Sequence, residues 1–397
     1  MMTKNNHKTM NDVFIIGVGM TPVGEHWDRS LRELALEAMT VARDETGAMR
    51  PETIYVANML APALSRQSHL GALLADFSGM RGIEAVTIEA AGASGGMALR
   101  QAYLALASGM VNTALVVGVE KITDRVTAEV EAALITSSDA DYESIHGVTQ
   151  TAMAAMLMRR YAFEFNVPEH AFAGFSITAH ANGAKNPNAM FRRPIKLETY
   201  QRAAILSDPI NMFDAAPVAD GAAAIFLARG DVLPSNLPFP PVRIEASAAA
   251  ISAVAIHDRP NPLSFSAAEN AVRVVLDRAE INRDQIDFFE VHDRYSIFAA
   301  LSLEAAGFAV PGEGWKLAES GAIALDGQIP ICTFGGSKAR GDTGGATGVY
   351  QAAEATMQLQ GRAGEIQVAD ARIGLIQSIG GTGATAATHL LSTVETL

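Results

Sequence analysis

The sequence predicts an α/β protein made of two similar halves, with a mainly helical segment inserted in the first half. Buried-type strands alternate with amphipathic helices along most of the chain, which is typical of a parallel sheet. The same order of elements returns from about residue 241 onward. The stretch from about 121 to 206 breaks the alternation and is too long for an ordinary connection. We therefore expect two halves and an inserted loop domain.

The composition is that of a folded globular chain. Its 397 residues are 49% hydrophobic, enough for two domains with sizeable cores. The net charge of −13 argues against a nucleic-acid partner. The one cysteine excludes a disulfide framework and fits a reducing compartment. No apolar run approaches the roughly 20 residues that span a bilayer, and the polar start lacks the apolar region of a signal peptide. We expect a cytoplasmic protein with no membrane span.

The first half opens with alternating strands and helices. Residues 13–19, VFIIGVG, form a buried-type strand, and residues 52–60 form a second one. Residues 30–47 have apolar positions at helical spacing and end at a glycine, and residues 68–79 form the next helix.

The stretch around residue 92 is the one that the sequence marks for chemistry. A strand at 86–90 runs through the small-residue turn AGASGG into a helix that ends at Gly109. A further strand, TALVVGVE, follows at 113–120. Backbone N–H groups point outward where a strand meets a helix N-terminus through glycines, and the helix dipole there favours negative charge.

The second half repeats this order. The strand at 242–250 corresponds to that at 13–19, and residues 266–293 repeat the helix–strand unit of 30–58. Residues 330–361 correspond to the turn and helix around residue 92, and 372–391 to the strand after it. Such an internal duplication predicts two halves, each with its own sheet.

These motifs resemble the thiolases, in particular the sterol-carrier-protein type, over essentially the whole chain. The nucleophile turn of that family reads close to N-A-C-A-S-G-G, and Gly92 stands at the position of the acylated cysteine. The resemblance implies a thiolase fold, a duplicated five-layered αβαβα arrangement. It implies an N-terminal half at 1–240, including the loop domain at about 121–206, and a C-terminal half at 241–397.

The resemblance also locates the other three catalytic motifs. The Gly-His-Pro motif corresponds to Gly341-Asp342-Thr343, so that Asp342 replaces the activating histidine. Ser378 in QSIGGTG takes the place of the second catalytic cysteine. The HDAF-type box survives as Val291-His292-Asp293-Arg294-Tyr295. Because glycine has no side chain, an acyl-enzyme cannot form at residue 92.

Two other nucleophilic side chains have simpler interpretations. Cys332, in the expected strand PICTF, is interpreted as a small buried hydrophobic residue. Ser94 is interpreted as a helix cap.

Two tyrosines enter the altered motifs. Tyr295 ends the HDAF-type box, and Tyr350 replaces a small residue in GATGVYQ. This pattern resembles the thiolase-fold aldolases that shorten steroid side chains, which lack the cysteine and carry tyrosines at matching places. A phenol can donate a proton, or accept one as phenolate. Two buried tyrosines with satisfied hydroxyls are the structural alternative.

The resemblance implies retro-aldol cleavage of a β-hydroxyacyl-CoA thioester, with a steroid-like side chain, to a ketone and a short acyl-CoA such as propionyl-CoA. Tyr295 and Tyr350 are expected to handle protons. His292 and the backbone N–H groups of Gly92 and Gly380 are expected to stabilise the enolate. A structural histidine with satisfied hydrogen bonds is the alternative for His292. Asp342 is a proton relay, an orienting group or a loop residue. An atypical acyltransferase, or a non-catalytic protein that binds acyl-CoA or lipid, is the alternative function.

Ligands and partners follow from the resemblance as well. Arg192, Arg193 and Lys196 are the expected partners for the phosphates of coenzyme A, which belongs to the substrate, so no cofactor is expected. A solvated basic patch is the alternative. No His/Cys group has zinc spacing, so no metal is expected. The family implies a homodimer, and the aldolases pair with a small OB-fold and zinc-ribbon protein in a heterotetramer.

Overall fold

The computed structural model of the protein describes residues 12–394. The strands are β1 Val13–Met20, β2 Thr53–Ala57, β3 Glu84–Ile88, β4 Thr113–Glu120, β5 Ile205–Ser207, β6 Ile210–Asn211, β7 Gly221–Arg229, β8 Val242–Ile251, β9 Phe288–Glu290, β10 Ile373–Gly380 and β11 Thr385–Thr393. The α-helices are α1 Leu31–Asp44, α2 Leu70–Phe77, α3 Ser94–Ala107, α4 Thr127–Leu134, α5 Gln150–Phe165, α6 Ala173–Gly183, α7 Leu197–Gln201, α8 Ser266–Ala279, α9 Ser296–Ala305, α10 Gly314–Glu319 and α11 Thr347–Leu359.

Local sequence explains where the first elements begin and end. Helix α1 starts at a capping box, in which the Ser30 side chain accepts from the Glu33 N–H and the Glu33 carboxylate accepts from the Ser30 N–H. Its apolar stripe, which includes Leu34 and Ala38, is fully buried. Strand β4 is buried along its whole length, as its continuous apolar sequence predicts.

The main sheet is mixed, so the prediction of a parallel sheet is confirmed for the β2–β3, β2–β4 and β9–β10 pairs and is wrong for the other pairs. Its nine strands run in the order β3-β2-β4-β7-β1-β8-β11-β10-β9. Strand β7 lies antiparallel to both β1 and β4, and β11 lies antiparallel to both β8 and β10. The helix–strand alternation is interrupted at these points. A long insertion precedes β7, and a short turn joins β10 to β11, so neither strand follows a helical crossover.

The layers agree with the expected five-layered arrangement. Helices α3 and α11 pack against each other and against strands of both halves, so they form the central helical layer. Helices α1 and α2 cover the outer face of the N-terminal strands. Helices α8 and α9 lie on the C-terminal side, where α8 packs on β8 and β11. A short β1–β8 pairing at Phe14 and Ile15 joins the strands of the two halves into one continuous sheet, so the prediction of a separate sheet in each half is wrong.

The two central helices approach each other at glycines. A Cβ placed on Gly95 of α3 would lie 2.6 Å from the Val349 nitrogen of α11, and a Cβ on Gly348 would meet the Gly96 nitrogen. Only glycine permits such a close approach of the two helices. The approach brings their N-termini together beside the end of β10.

The segment between β4 and β7 carries α4 to α7 and the small β5–β6 hairpin. Its helix α5 packs against α9 of the C-terminal half. No helix within residues 12–394 combines the length and apolar character that crossing a membrane requires.

Candidate active site

The turn around Gly92 meets the end of β10 and the side chain of His292. A Cβ on Gly92 would lie 2.6 Å from the Ile379 carbonyl oxygen and 3.0 Å from His292 Cε1. A Cβ on Gly380 would lie 2.5 Å from the Ala90 carbonyl oxygen. The structure therefore brings Gly92, Gly380 and His292 together. It also leaves no room for a side chain at the position of the nucleophile unless the backbone moves.

His292 is a neutral hydrogen-bond donor. Its Nδ1 accepts the backbone N–H of Ile379 at 3.3 Å, so in the neutral ring the proton is on Nε2. Nε2 is the ring nitrogen on the side of Gly92, 3.5 Å from the place of a Cβ there. Burial lowers the pKa of the imidazole, and the Asp342 carboxylate only partly offsets this effect. The ring therefore presents an N–H to any oxygen bound beside Gly92.

Two serines near the turn have structural partners. Ser94 Oγ accepts the Ala90 N–H at 2.9 Å and donates to the Ala91 carbonyl at 2.6 Å, which holds the turn in shape. Helix α3 is capped by Ala93 without a side-chain bond, so the expected capping role of Ser94 is wrong. Ser378 donates to Gln351 Oε1 at 3.0 Å and is fully buried.

Cys332 offers no reactive thiolate. It is buried, and its thiol donates to the Val291 carbonyl at 3.6 Å. Burial raises the pKa of this thiol well above its ordinary value, and the carboxylates of Asp293 and Glu290 add to the effect. Its φ of +47° places it outside any strand, so the expected strand is wrong, while the buried character is confirmed.

Asp342 forms a buried ion pair with Arg294. Its carboxylate also accepts the Thr347 hydroxyl at 3.1 Å and the Gly344 N–H at 3.2 Å. Burial alone would raise the pKa of this carboxyl, but Arg294, His292 and the hydrogen bonds more than offset it and hold the pKa below the usual range. Asp342 is therefore a fixed anion, which favours an orienting role over proton transfer.

Tyr295 caps helix α9 and lies beside this ion pair. Its side chain is 2% exposed, and its hydroxyl lies 3.0 Å from the Thr151 hydroxyl of α5. Its ring packs edge-on against Phe298, with centroids 5.1 Å apart, and the Arg294 guanidinium lies 5.7 Å from the ring centroid.

Tyr350 lies in helix α11 and is held by Thr21 of the N-terminal half. Its hydroxyl donates to the Thr21 carbonyl at 3.1 Å and lies 3.2 Å from the Thr21 hydroxyl. Its ring is covered by the guanidinium of Arg340, 5.1 Å from the centroid. Burial raises the pKa of this phenol above its ordinary value, against the smaller opposing effect of Thr21. The two tyrosines thus have different partners, and Tyr350 remains protonated at neutral pH.

The basic residues of the loop before α7 are exposed. Arg192, Arg193 and Lys196 all face solvent. The loop reaches the site indirectly, because the Met190 N–H donates to the Arg340 carbonyl, two residues before Asp342. Within the described residues, no group of three or more His, Cys, Asp or Glu side chains is arranged to hold a metal ion.

Sequence reasoning missed two residues of this site. Arg294 lies in the HDAF-type box, at a position where the pattern has alanine. This charged residue was the sign in the sequence that the position has a special role. Thr151 lies in the inserted segment, where nothing in the sequence connects it to Tyr295.

Comparisons with known families agree with this architecture. A family model described as "Thiolase, N-terminal domain" matches residues 13–231, and one described as "Thiolase C-terminal domain-like" matches residues 248–393.

The chain also has relatives of two kinds. It is 40% identical to an acetyl-CoA acetyltransferase of Methanothermobacter thermautotrophicus, over 96% of this chain and 100% of the relative. It is 26% identical to the 17-hydroxy-3-oxo-4-pregnene-20-carboxyl-CoA lyase of Mycobacterium tuberculosis, over 87% and 91%.

Among solved structures, the fold is similar to that of the Ltp2-ChsH2(DUF35) aldolase. The TM-score is 0.83 at 20% identity, over 98% of this chain and 99% of that chain. The matches cover both halves, and the chain belongs to the thiolase superfamily of acyl-CoA enzymes.

Proposed function

We propose that the protein is a carbon–carbon lyase that cleaves a β-hydroxyacyl-CoA thioester by a retro-aldol reaction, without a covalent acyl-enzyme. The observation that carries the proposal is the closed space at Gly92. The Ile379 carbonyl and the His292 ring occupy the surroundings of a side chain there. A thiolase-type acyl transfer needs a nucleophile at this point, whereas a retro-aldol step needs none.

The retro-aldol step requires an acceptor for the proton of the β-hydroxyl. We assign this role to Tyr295, as its phenolate, because it lies three residues from His292. When the hydroxyl loses its proton, the bond between the α- and β-carbons breaks and its electron pair moves into the thioester, giving an enolate and a ketone. The α-carbon must then take up a proton, which balances the reaction.

The enolate oxygen carries the developing negative charge. His292 Nε2–H and the backbone N–H groups of Gly92 and Gly380 are the proposed donors. In the turn, the Ala93 N–H donates to the Ala90 carbonyl and the Ser94 N–H donates to the Ala91 carbonyl. The Gly92 N–H takes no part in these two hydrogen bonds. Removing one donor of this kind typically costs about 10²–10³ in turnover.

Tyr350 is the proposed source of the proton for the α-carbon, or else a positioning residue. Burial keeps the phenol protonated, as a proton donor must be. Its present bond to the Thr21 carbonyl competes with donation to a substrate and supports the positioning role. The exposed side chains of Arg192, Arg193 and Lys196 are proposed to bind the phosphates of coenzyme A.

The leaving ketone is proposed to be bulky and steroid-like, and the other product a short acyl-CoA such as propionyl-CoA. The 26% identity to a lyase that acts on a pregnene-carboxyl-CoA supports this substrate class. The DUF35 protein in the similar aldolase structure supports a small partner protein, with which two copies of this chain would form a heterotetramer.

An acyltransferase that works without a covalent intermediate is the second candidate function. The 40% identity to an acetyl-CoA acetyltransferase favours it. A binding protein without activity is a third candidate, which has less support because such a protein requires neither His292 beside Gly92 nor Arg294 beside the Tyr295 ring.

Product analysis tests these functions against one another. We expect a branched β-hydroxyacyl-CoA to yield a ketone and a shorter acyl-CoA, measured by liquid chromatography and mass spectrometry. We expect no mass increase of the protein after incubation with acetyl-CoA or acetoacetyl-CoA. Net formation of acetoacetyl-CoA would indicate the acyltransferase, and binding without turnover would indicate the binding protein. A stable adduct would contradict the absence of a covalent acyl-enzyme.

The tyrosines are tested by removing only their hydroxyls. If both transfer protons, Y295F and Y350F should each lose roughly 10²–10⁴ in turnover and still bind acyl-CoA. If Tyr350 only positions the loop around Arg340, Y350F should lose much less than Y295F. Near-normal turnover of both variants would contradict the assignment and would leave His292 and Asp342 as the proton-transfer pair.

A further inference from the structure

The inserted segment reaches the candidate active site at the start of helix α5. Thr149 caps this helix, because its hydroxyl accepts the Ala152 N–H at 3.1 Å. The cap fixes the first turn of α5, and Thr151 lies in that turn. The Thr151 hydroxyl lies 3.0 Å from the Tyr295 hydroxyl, across a sequence separation of 144 residues.

The neighbouring residue connects the same turn to the other side of the site. Gln150 donates to the Ser137 hydroxyl, and the Ser137 carbonyl oxygen lies 2.9 Å from the place of a Cβ on Gly381. Gly381 directly follows Gly380, a proposed enolate donor. Gln150 is 5% exposed, and no residue within 12–394 bonds its Oε1, so this helix start is both polar and buried.

The ring and the hydroxyl of Tyr295 are held by different groups. Phe298 and Arg294 contact the ring and restrict its plane, but they do not set the direction of the hydroxyl hydrogen. A threonine hydroxyl can do this, because it donates one hydrogen bond and accepts others. It can accept from a neutral phenol, and it can donate to the oxygen after the phenol has lost its proton.

We propose that Thr151 is a positioning residue for Tyr295, which holds the phenol oxygen in place in both of its protonation states. The proposal rests on the proposed function, in which Tyr295 takes the proton of the substrate hydroxyl. It assigns a task in catalysis to the inserted segment, in addition to any contact with coenzyme A.

Three variants test the proposal in the full-length protein, with its partner protein where activity requires one. T151V keeps the shape and removes the hydroxyl. It should lower kcat about 10- to 100-fold, as expected for a hydrogen bond to a group that is charged in one of its two protonation states, while KM changes less than about threefold. T151S keeps the hydroxyl and should restore kcat to within about threefold of the wild type. T40V removes an exposed helical hydroxyl on α1, which bonds the Leu36 carbonyl, and should have no effect.

The double variant T151V/Y295F separates positioning from packing. If Thr151 acts through the phenol oxygen, T151V should cause no further loss of kcat once that oxygen is absent. An additive loss, or equal losses in T151V and T151S, would overturn the proposal in favour of a packing role. If T151V does not fold, T151A removes the same hydroxyl without adding bulk.

The outcomes also separate this proposal from the proposed function. If T151V has wild-type turnover while Y295F is inactive, only the role of Thr151 is overturned. Near-normal turnover of Y295F would overturn the assignment of Tyr295, and the positioning role would fall with it.

Discussion

At the scale of single residues, Arg294 and Asp342 are two departures from the thiolase motifs that the fold places in contact. Asp342 stands where the motif has a histidine, and Arg294 stands in the box where the motif has alanine. Either one alone would be a buried charge without a partner, which is costly. Together they form an ion pair, supported by Thr347 and the Gly344 N–H. The two changes therefore make physical sense only as a pair.

Stability measurements on the two single variants and the double variant test this pairing. R294Q and D342N should each lower the free energy of unfolding by about 3–5 kcal/mol, because each leaves the partner charge buried and uncompensated. The double variant R294Q/D342N removes both charges and should recover a substantial part of that loss. Urea unfolding monitored by circular dichroism gives the coupling energy between Arg294 and Asp342 directly.

An exposed ion pair provides the matched control. Arg160 and Glu164 on α5 are 2.8 Å apart and largely exposed, so R160Q should cost less than about 1 kcal/mol. Strictly additive losses at Arg294 and Asp342 would show that the two residues act independently.

At the scale of secondary structure elements, helix α3 is attached to the C-terminal half by a buried histidine. His389 of β11 donates from Nε2 to the Gly96 carbonyl of α3 at 3.0 Å, since a carbonyl can only accept. Burial lowers the pKa of His389 to about 3, against the smaller opposing effect of the Gly96 bond. The ring stays neutral in the folded protein well below the pH at which it would be protonated in the unfolded chain.

This attachment predicts a specific pH dependence of stability. Above about pH 6.5 the ring is neutral in both states and contributes no pH dependence. As the pH falls from about 6.5 toward 3, the unfolded chain takes up a proton that the folded protein excludes, so stability is lost. H389Q keeps a side-chain donor without this titration. The difference in free energy of unfolding between wild type and H389Q should therefore shift in favour of H389Q as the pH falls through this range.

Urea unfolding at several pH values measures this difference. H146Q, which changes an exposed histidine in the inserted segment, serves as the control and should follow the wild type. Parallel pH profiles for wild type and H389Q would contradict the attributed role of His389.

At the scale of the whole molecule, strand β3 is an incompletely covered edge. It pairs with β2 on one side, and it ends the order of strands in the described part of the chain. Glu84, Val86 and Thr87 are exposed, whereas every residue of β4 is buried. An uncovered edge strand favours pairing with another chain, and this one directly precedes the turn at Gly92.

We expect a homodimer that forms through this edge. V86K places a charge on β3 and should convert the dimer to a monomer in sedimentation experiments, with little loss of secondary structure. V310K changes a residue that is 60% exposed between α9 and α10, and it should remain dimeric. A wild type that is monomeric and fully active, or a dimeric V86K, would contradict this expectation.

Much of the fold was predictable because local patterns specify it. Continuous apolar runs such as 113–120, and the capped amphipathic sequence of α1, become strands and helices in nearly any packed context. The alternation of elements predicted the parallel direction of β2, β3 and β4, but it did not predict the direction of β7. The direction of β7 depends on how the insertion before it returns to the sheet, and this is settled by contacts distant in sequence.

The sequence by itself determined the duplicated order of elements, the motifs of the thiolase superfamily and the loss of a side chain at Gly92. Each of these depends on residue type and short-range spacing. Only the tertiary structure decided that Asp342 pairs with Arg294, that Tyr295 meets Thr151, and that Tyr350 bonds Thr21 instead. These contacts join residues 48 to 329 positions apart, and they depend on how helices and loops pack, which no local pattern encodes.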